Sequence, residues 1–267
     1  MPSRRAVPRR YAYGRHRGQD GELWSPDGRP PAAGWPVVVL VHGGFWRARY
    51  RKELMTALAA DVVGRGWAAW NIEYRRLGMP KRGGWPTTFE DVAAAVDHLG
   101  TLVRDHPLDL TRVVSVGHSA GGHLALWAAG RPGLPESAPG SPEPGFVAVT
   151  AVVGLAPVAD LEEAAQHGVG RGTVEGLLGG SPSEQPERYR LASPAARLPL
   201  GVVQVVVHGD RDEAVPFELS RRYVARACAA GDEAILVELN GVGHMELIDP
   251  TSTAWAATLP YLRRLLA

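Results

Sequence analysis

Apolar positions along this chain follow two alternating rhythms. Strand-like runs recur at Val37 to Val41, Trp67 to Tyr74, Val113 to Val116, Val147 to Leu155, Val202 to Val207 and Ala234 to Leu239. The central ones, Val37-Val38-Val39-Leu40-Val41 above all, are apolar at every residue, the mark of a strand buried on both faces. Between them the spacing turns helical. Glu53 to Arg65 carries apolar residues at 54, 58 and 62 and stops at Gly66. A second helix sets Phe89, Val92, Val96, Leu99 and Val103 on one face, opened by a Thr87-X-X-Glu90 capping box. Further helices are predicted from Ala120 onward, over Pro216 to Ala230 with proline in the first turn, and over Thr251 to Leu266, where Pro260 should kink or interrupt it. Short alternating pieces between Tyr11 and Trp24 read as edge strands. The sum is an α/β fold: a mostly parallel central sheet with helices on both faces.

The rhythm lapses in two places. Residues 131–145, rich in Pro, Gly and Ser, read as a surface loop. Ala156 to Leu200 is far longer than the roughly 2–6 residues of an ordinary α/β connection. Helical pieces near 159–167 and 172–178 suggest a small cap insertion over the strand ends. At 267 residues the chain fits a single domain, 1–267, with that insertion and a mobile N-terminal arm over 1–10.

Charge adds little to this picture. A formal net charge of +1 gives no reason to expect nucleic acid or an acidic membrane as partner. No stretch approaches the roughly 18 apolar residues of a membrane span. Arg4-Arg5 lacks the apolar segment of an export signal, and a cytoplasmic protein is expected. Cys228, the lone cysteine, sits among alanines mid-helix and reads as a buried core thiol.

The chemistry collects at strand ends, where α/β sheets place their sites. Val113 to Val116 runs into Gly117-His118-Ser119-Ala120-Gly121 and then a helix, the strand–turn–helix context that a Gly-X-Ser-X-Gly nucleophile elbow requires. A serine hydroxyl attacks at neutral pH only with a base to take its proton. His244, on the glycine-flanked loop after the last strand, is the candidate base. An aligned carboxylate should steady the imidazolium that forms. Asp212 is the candidate, and Asp210, its competitor, could instead tie down the turn. N–H donors for the oxyanion are expected from Ala120 and from Gly44 and Phe45 in the turn His42-Gly43-Gly44-Phe45. His42, His118, His123 and His208 read as packing or hydrogen-bonding residues, with the elbow turning His118 away from the site. No metal-ligand spacing and no dinucleotide fingerprint occurs, so no metal and no cofactor are expected.

On these residues the chain resembles an α/β-hydrolase. The segments His42-Gly43-Gly44-Phe45-Trp46, Gly117 to His123 and Gly243-His244 are most similar to the carboxylesterase and kynurenine formamidase (arylformamidase) group, and the Tyr13-Gly14 and Gln19 to Trp24 pieces fit it too. The lipase-like branch has a third glycine where Phe45 stands. The resemblance implies a triad of Ser119, Asp212 and His244, no cofactor, and a small ester or aryl amide as substrate. Trp46 and Trp85, on loops bordering the site, are candidates for a substrate pocket. Glu73, Tyr74 and Arg75 read as a structural polar network. Two other readings stay open: a prolyl-oligopeptidase-like peptidase, which would want a gating domain, and a hydrolase-shaped binding protein without chemistry.

Overall fold

The computed structural model describes residues 7–78 and 83–267. Its elements in chain order are β1 (Arg9–Ala12), β2 (Asp20–Trp24), β3 (Trp35–Val41), α1 (Thr56–Gly64), β4 (Ala68–Ile72), α2 (Thr87–Asp97), α3 (Leu99–Leu102), β5 (Leu108–His118), α4 (Ala120–Ala129) and β6 (Ala151–Leu155). They continue with α5 (Leu161–Gln166), α6 (Thr173–Leu178), α7 (Pro186–Ala192), β7 (Val203–Gly209), α8 (Phe217–Ala229), β8 (Ala234–Leu239) and α9 (Thr253–Leu265). The strands form one sheet in the order β1-β2-β4-β3-β5-β6-β7-β8. β1 and β2 run antiparallel to their neighbours, and every pairing from β4 through β8 is parallel.

Alternation along the fully apolar strands explains why both faces need helices. In β3, Val37, Val39 and Val41 face a layer containing Phe89 and Val92 of α2, Leu124 of α4 and Tyr223 of α8. Val38 and Leu40 point the other way, onto Leu58 and Val62 of α1 and Trp255 and Leu262 of α9. Each such Val or Leu contributes about 1.5–3 kcal/mol when fully buried. Pairing register then aligns the carboxyl ends: Val41 lies opposite Gly117, His118 opposite Leu155, and Leu155 opposite Val207. Residues just beyond those ends, His42, Ser119 and His208, share one rim.

Several expectations are corrected in detail. Val147 does not join the sheet, because its N–H is taken by the Asp97 carboxylate at 3.0 Å, and β6 begins only at Ala151. The Thr87 capping box does not form. Pro86 holds the cap position of α2 without a side-chain bond, and the neighbouring Thr88 hydroxyl donates to the Arg75 carbonyl at 2.7 Å. α9 runs unbroken through Pro260. Pro260 and Ala256 are both exposed, so the carbonyl that loses its N–H partner meets solvent. Cys228 is exposed rather than buried, since the buried stripe of α8 is Leu219, Ser220, Tyr223, Val224 and Ala227. The expected mobile arm is partly ordered: Arg9 and Arg10 open β1, with Arg10 bonded to Asp20 at 2.7 Å, while residues 1–6 lie outside the described residues.

Residues 156–200 hold α5, α6 and, unforeseen, α7 followed by a 3₁₀ turn at Pro194–Arg197. Asp160 caps α5, accepting from the Glu162 and Glu163 amides at 3.1 Å. The segment is seated on the sheet side that carries α4: His123 bonds the Ala192 carbonyl at 2.9 Å and Trp127 the Leu191 carbonyl at 3.1 Å. Trp85, in the loop before α2, bonds the Leu177 carbonyl of α6 at 2.7 Å.

Candidate active site

β5 ends in a turn that only its own glycines permit. A Cβ on Gly117 would sit 2.1 Å from the Gly121 carbonyl oxygen, and one on Gly121 would sit 2.1 Å from that of Val41. With strand and helix this close, Ser119 is forced into the left-handed region at φ 56°, ψ −121°, a conformation that costs about 1–3 kcal/mol and persists where surrounding contacts fix it. Here the fixing bonds are Ser119 N–H to the Leu155 carbonyl at 2.8 Å and His123 N–H to the Ser119 carbonyl at 3.1 Å. Ala120 follows as the first residue of α4, so its N–H has no acceptor within the helix and lies at the positive end of the helix dipole.

The turn after β3 is strained in a complementary way. Gly44, Phe45 and Trp46 are all left-handed, at φ 108°, 52° and 54°. Bonds from Arg47 N–H to the Gly44 carbonyl (3.0 Å) and from Leu77 N–H to the Trp46 carbonyl (2.7 Å) hold the turn. The turn lies against the serine, since a Cβ on Gly43 would be 3.1 Å from the Ser119 Cβ.

Asp212 and His244 lie side by side. His244 Nδ1–H donates to Asp212 Oδ2 at 2.6 Å, which leaves Nε2 as the ring's open nitrogen. Asp212 Oδ1 accepts from the Ala214 and Val215 amides at 2.8 and 2.9 Å. Its Oδ2 also accepts from His208 Nε2 at 3.1 Å. Burial alone would raise the Asp212 pKa, but the bonds from His208 and His244 outweigh it and hold the carboxyl well below the usual range. Asp212 is therefore a fixed anion. Asp210 takes the other role considered for it, accepting from the Gly241 amide at 2.6 Å at the base of the His244 loop. Among the described residues, no hydrogen bond joins the Ser119 hydroxyl to His244; apo geometry is commonly loose at this contact and tightens with substrate bound.

Two histidines carry more than sequence reasoning assigned to them. His208 ties Asp212 to α8, its Nδ1 lying 2.7 Å from the Ser220 hydroxyl; a histidine four residues before the candidate acid was the available signal. His118 does not point away from the site. Its Nε2 lies 3.0 Å from the His244 carbonyl, and the two rings are 4.3 Å apart.

Trp46 is corrected as a pocket residue. Its left-handed φ turns the side chain inward, where it is 0% exposed and packs edge-on against His123 at 5.3 Å. Trp85 is half-buried, 5.1 Å from the Phe89 ring, and anchors its loop to α6. Phe45 instead sits against the 156–200 segment: a Cβ on Gly170 would be 2.6 Å from its ring, and Arg47 donates to the Gly170 carbonyl at 2.9 Å. Ser119 is 1% exposed, so access to it is narrow. A surface groove of about 1210 Å³ between α5, α7 and α8 includes neither Ser119 nor His244 in its lining.

Behind the turn after β3 lies a buried polar network, as expected of Glu73 and Tyr74. His42 places Nδ1 2.8 Å from the Gly43 carbonyl and Nε2 2.9 Å from Glu73 Oε1, and it stacks on Tyr74 with ring centroids 4.4 Å apart. Tyr74 donates to the His42 carbonyl at 2.8 Å, and Arg76 pairs with Glu73 at 2.6 Å. Arg75 turns instead to Asp91, bonding it at 2.6 Å. Burial pushes the Glu73 pKa up, but the hydrogen bond and charge of His42, and then Arg76, bring it down to about 2 from an ordinary 4.5. Because the folded value is the lower one, ionised Glu73 stabilises the fold fully above about pH 4.5, and that contribution is lost as pH falls toward 2. The expected result is a melting temperature that drops across this window, with a shallower pH slope in Glu73→Gln. Equal slopes in thermal melts of the two proteins would contradict it.

Among the described residues, no group of three or more His, Cys, Asp or Glu is placed to hold a metal ion, and no helix is long and apolar enough to cross a membrane.

Comparison with known proteins gives a consistent picture. The BD-FAE family profile matches residues 25–226. Esterase LipC of Mycobacterium tuberculosis is 29% identical over 271 residues, covering 96% of this chain and 65% of that protein. Esterase LipQ of the same organism is 29% identical over 217 residues, covering 79% and 50%. The chain thus spans between half and two thirds of the length of these curated relatives. Among solved structures, a truncated carbohydrate esterase from gut microbiota superposes with a TM-score of 0.82 at 19% identity, covering 99% of this chain and 98% of that one. A propionate-bound thermophilic esterase from Thermogutta terrifontis gives 0.77 at 23% identity, covering 98% and 93%.

Proposed function

This chain belongs to the BD-FAE family and has the α/β-hydrolase fold, and from that premise we propose that it is a serine esterase of small carboxylic esters, built as one hydrolase domain with residues 156–200 as its cap. The observation that carries the proposal is the shared rim: a strained serine against an N–H-rich turn, with an Asp212-oriented His244 seated on the residue next to that serine.

In this reading His244 Nε2 takes the Ser119 proton as Oγ attacks the ester carbonyl carbon. Negative charge moving onto the carbonyl oxygen is received by the N–H groups of Gly44, Phe45 and Ala120, each worth about 100- to 1,000-fold in kcat for such a site. The imidazolium returns its proton to the departing alcohol as the C–O bond breaks, leaving an acyl-serine. Water, deprotonated by His244, then attacks that acyl group, and the acid leaves as Ser119 regains its proton. Asp212, already ionised and bonded from four directions, stabilises the imidazolium without moving.

Similarity to LipC and LipQ, both esterases by name, favours esters over aryl amides. The buried serine and the cap segment resting on Phe45 favour a short acyl group. The test compares p-nitrophenyl esters of increasing chain length with N-formylkynurenine. Highest kcat/KM on the two- to four-carbon esters is expected. Turnover of N-formylkynurenine with none of any ester would replace the esterase reading by a formamidase one.

A further inference from the structure

We infer that His118, the residue before the nucleophile, is a positioning residue that fixes the base loop over Ser119 by donating a hydrogen bond from Nε2 to the backbone carbonyl of His244. The inference rests on the triad reading above and adds to it a residue that neither the motif nor the triad assigns.

The loop carrying His244 needs such a clamp. It leaves β8 through Gly241, left-handed at φ 76°, and passes Gly243 before His244, while Met245 and Glu246 beyond it are exposed. Its early part is tied to the turn after β7, through Gly241 N–H to Asp210 Oδ1 at 2.6 Å and Arg211 N–H to the Val242 carbonyl at 3.1 Å. Past that point the Gly243 N–H bonds forward, to Glu246 Oε1 at 2.9 Å. The Asp212 bond holds the His244 ring at Nδ1, and a single bond leaves the ring free to swing about it. Contact with His118 supplies a second point: 3.0 Å from its Nε2 to the His244 carbonyl, with the rings 4.3 Å apart and inclined at 45°.

His118 is itself rigid. It closes β5, paired with Leu155, and is 2% exposed. On its other side the oxyanion turn abuts it, since a Cβ on Gly43 would be 3.0 Å from its Nδ1 and 2.7 Å from its carbonyl oxygen. One imidazole therefore touches the loop of the base, the turn of the oxyanion donors and, through the chain, the nucleophile. The carbonyl of His244 can only accept, so Nε2 carries the proton. Burial, and then the neighbouring His244, push the His118 pKa down to about 3. A neutral ring at this place puts no cation beside the imidazolium that forms on His244 during turnover.

The test separates geometry from bulk. In His118→Gln the side-chain amide nitrogen reaches the place of imidazole Nε2, whereas in His118→Asn it reaches only that of Nδ1. Both variants keep a polar side chain of similar burial. We expect kcat on a p-nitrophenyl ester to fall on the order of 10- to 100-fold in His118→Asn, as small misplacements of catalytic groups do, with KM little changed. His118→Gln should recover to within about threefold of wild type, at similar melting temperatures for the two variants. Equal kcat in the Asn and Gln variants, whether both high or both low, would overturn the positioning role. Ser119→Ala and His244→Ala run alongside: if either turns over normally, the triad reading fails, and if both are dead while His118→Asn matches wild type, only the positioning role fails.

Discussion

Ser119→Ala is expected to lower kcat on the best small ester by about 10⁴- to 10⁶-fold, because members of such a triad act as one unit and the loss of one forfeits nearly all of their joint effect. The residual rate would come from the oxyanion turn and substrate binding alone. The fold should survive the change. The contacts that fix the elbow run through the Ser119 amide and carbonyl, among the described residues no hydrogen bond of its Oγ takes part, and alanine keeps the Cβ that already tolerates φ 56°. Steady-state kinetics with circular dichroism on the same sample checks both halves. Turnover within tenfold of wild type on any ester would remove Ser119 as nucleophile.

Asp212→Asn should cost about 10⁴-fold in kcat at neutral pH, the scale seen when an orienting carboxylate becomes an amide. The physical reason lies in the bonds converging on it. Oδ2 accepts from both His244 and His208, and Oδ1 from two backbone amides. An asparagine oxygen can satisfy one side only. If it stays with the Ala214 and Val215 amides, its NH₂ faces two imidazole nitrogens that also carry protons, and His244 must turn or adopt the other tautomer. His244 Nε2 is then protonated and no longer a base. Folding should weaken too, since a buried site built for four donors acquires a donor of its own. A kcat loss smaller than about tenfold would show that the carboxylate does not set the tautomer.

The sheet was legible wherever burial on both faces forced apolar residues at every position, as in β3 and β7. The elbow was legible because its glycines answer a steric demand that spacing alone records: there is no room for a Cβ at 117 or 121. What failed to show in the sequence depends on where a side chain points rather than on what it is. Trp46 follows the glycine turn after β3 and looks like a pocket residue until a positive φ turns it into the core. His118 sits at the X position of a motif, and only the fold brings the β8 loop across to meet it. The segment 156–200 was hardest. α7 is seven residues long, too short to develop a clear helical period, and tertiary bonds from Trp127 and His123 hold its end in place. Val147 read as strand by composition, yet a carboxylate from α2 took its amide. Phe45 under the Gly170 turn joins residues from distant parts of the chain, a contact no local pattern encodes.

Reaction with a fluorophosphonate probe, followed by intact mass and peptide mapping, asks the decisive question of these loops: does one alcohol here react as only an activated serine does? A single adduct per chain on Ser119, formed rapidly in the native protein, abolished in Ser119→Ala and strongly slowed in His244→Ala, is the expected result. An adduct on another residue, or labelling of the native protein no faster than of the unfolded chain, would contradict it.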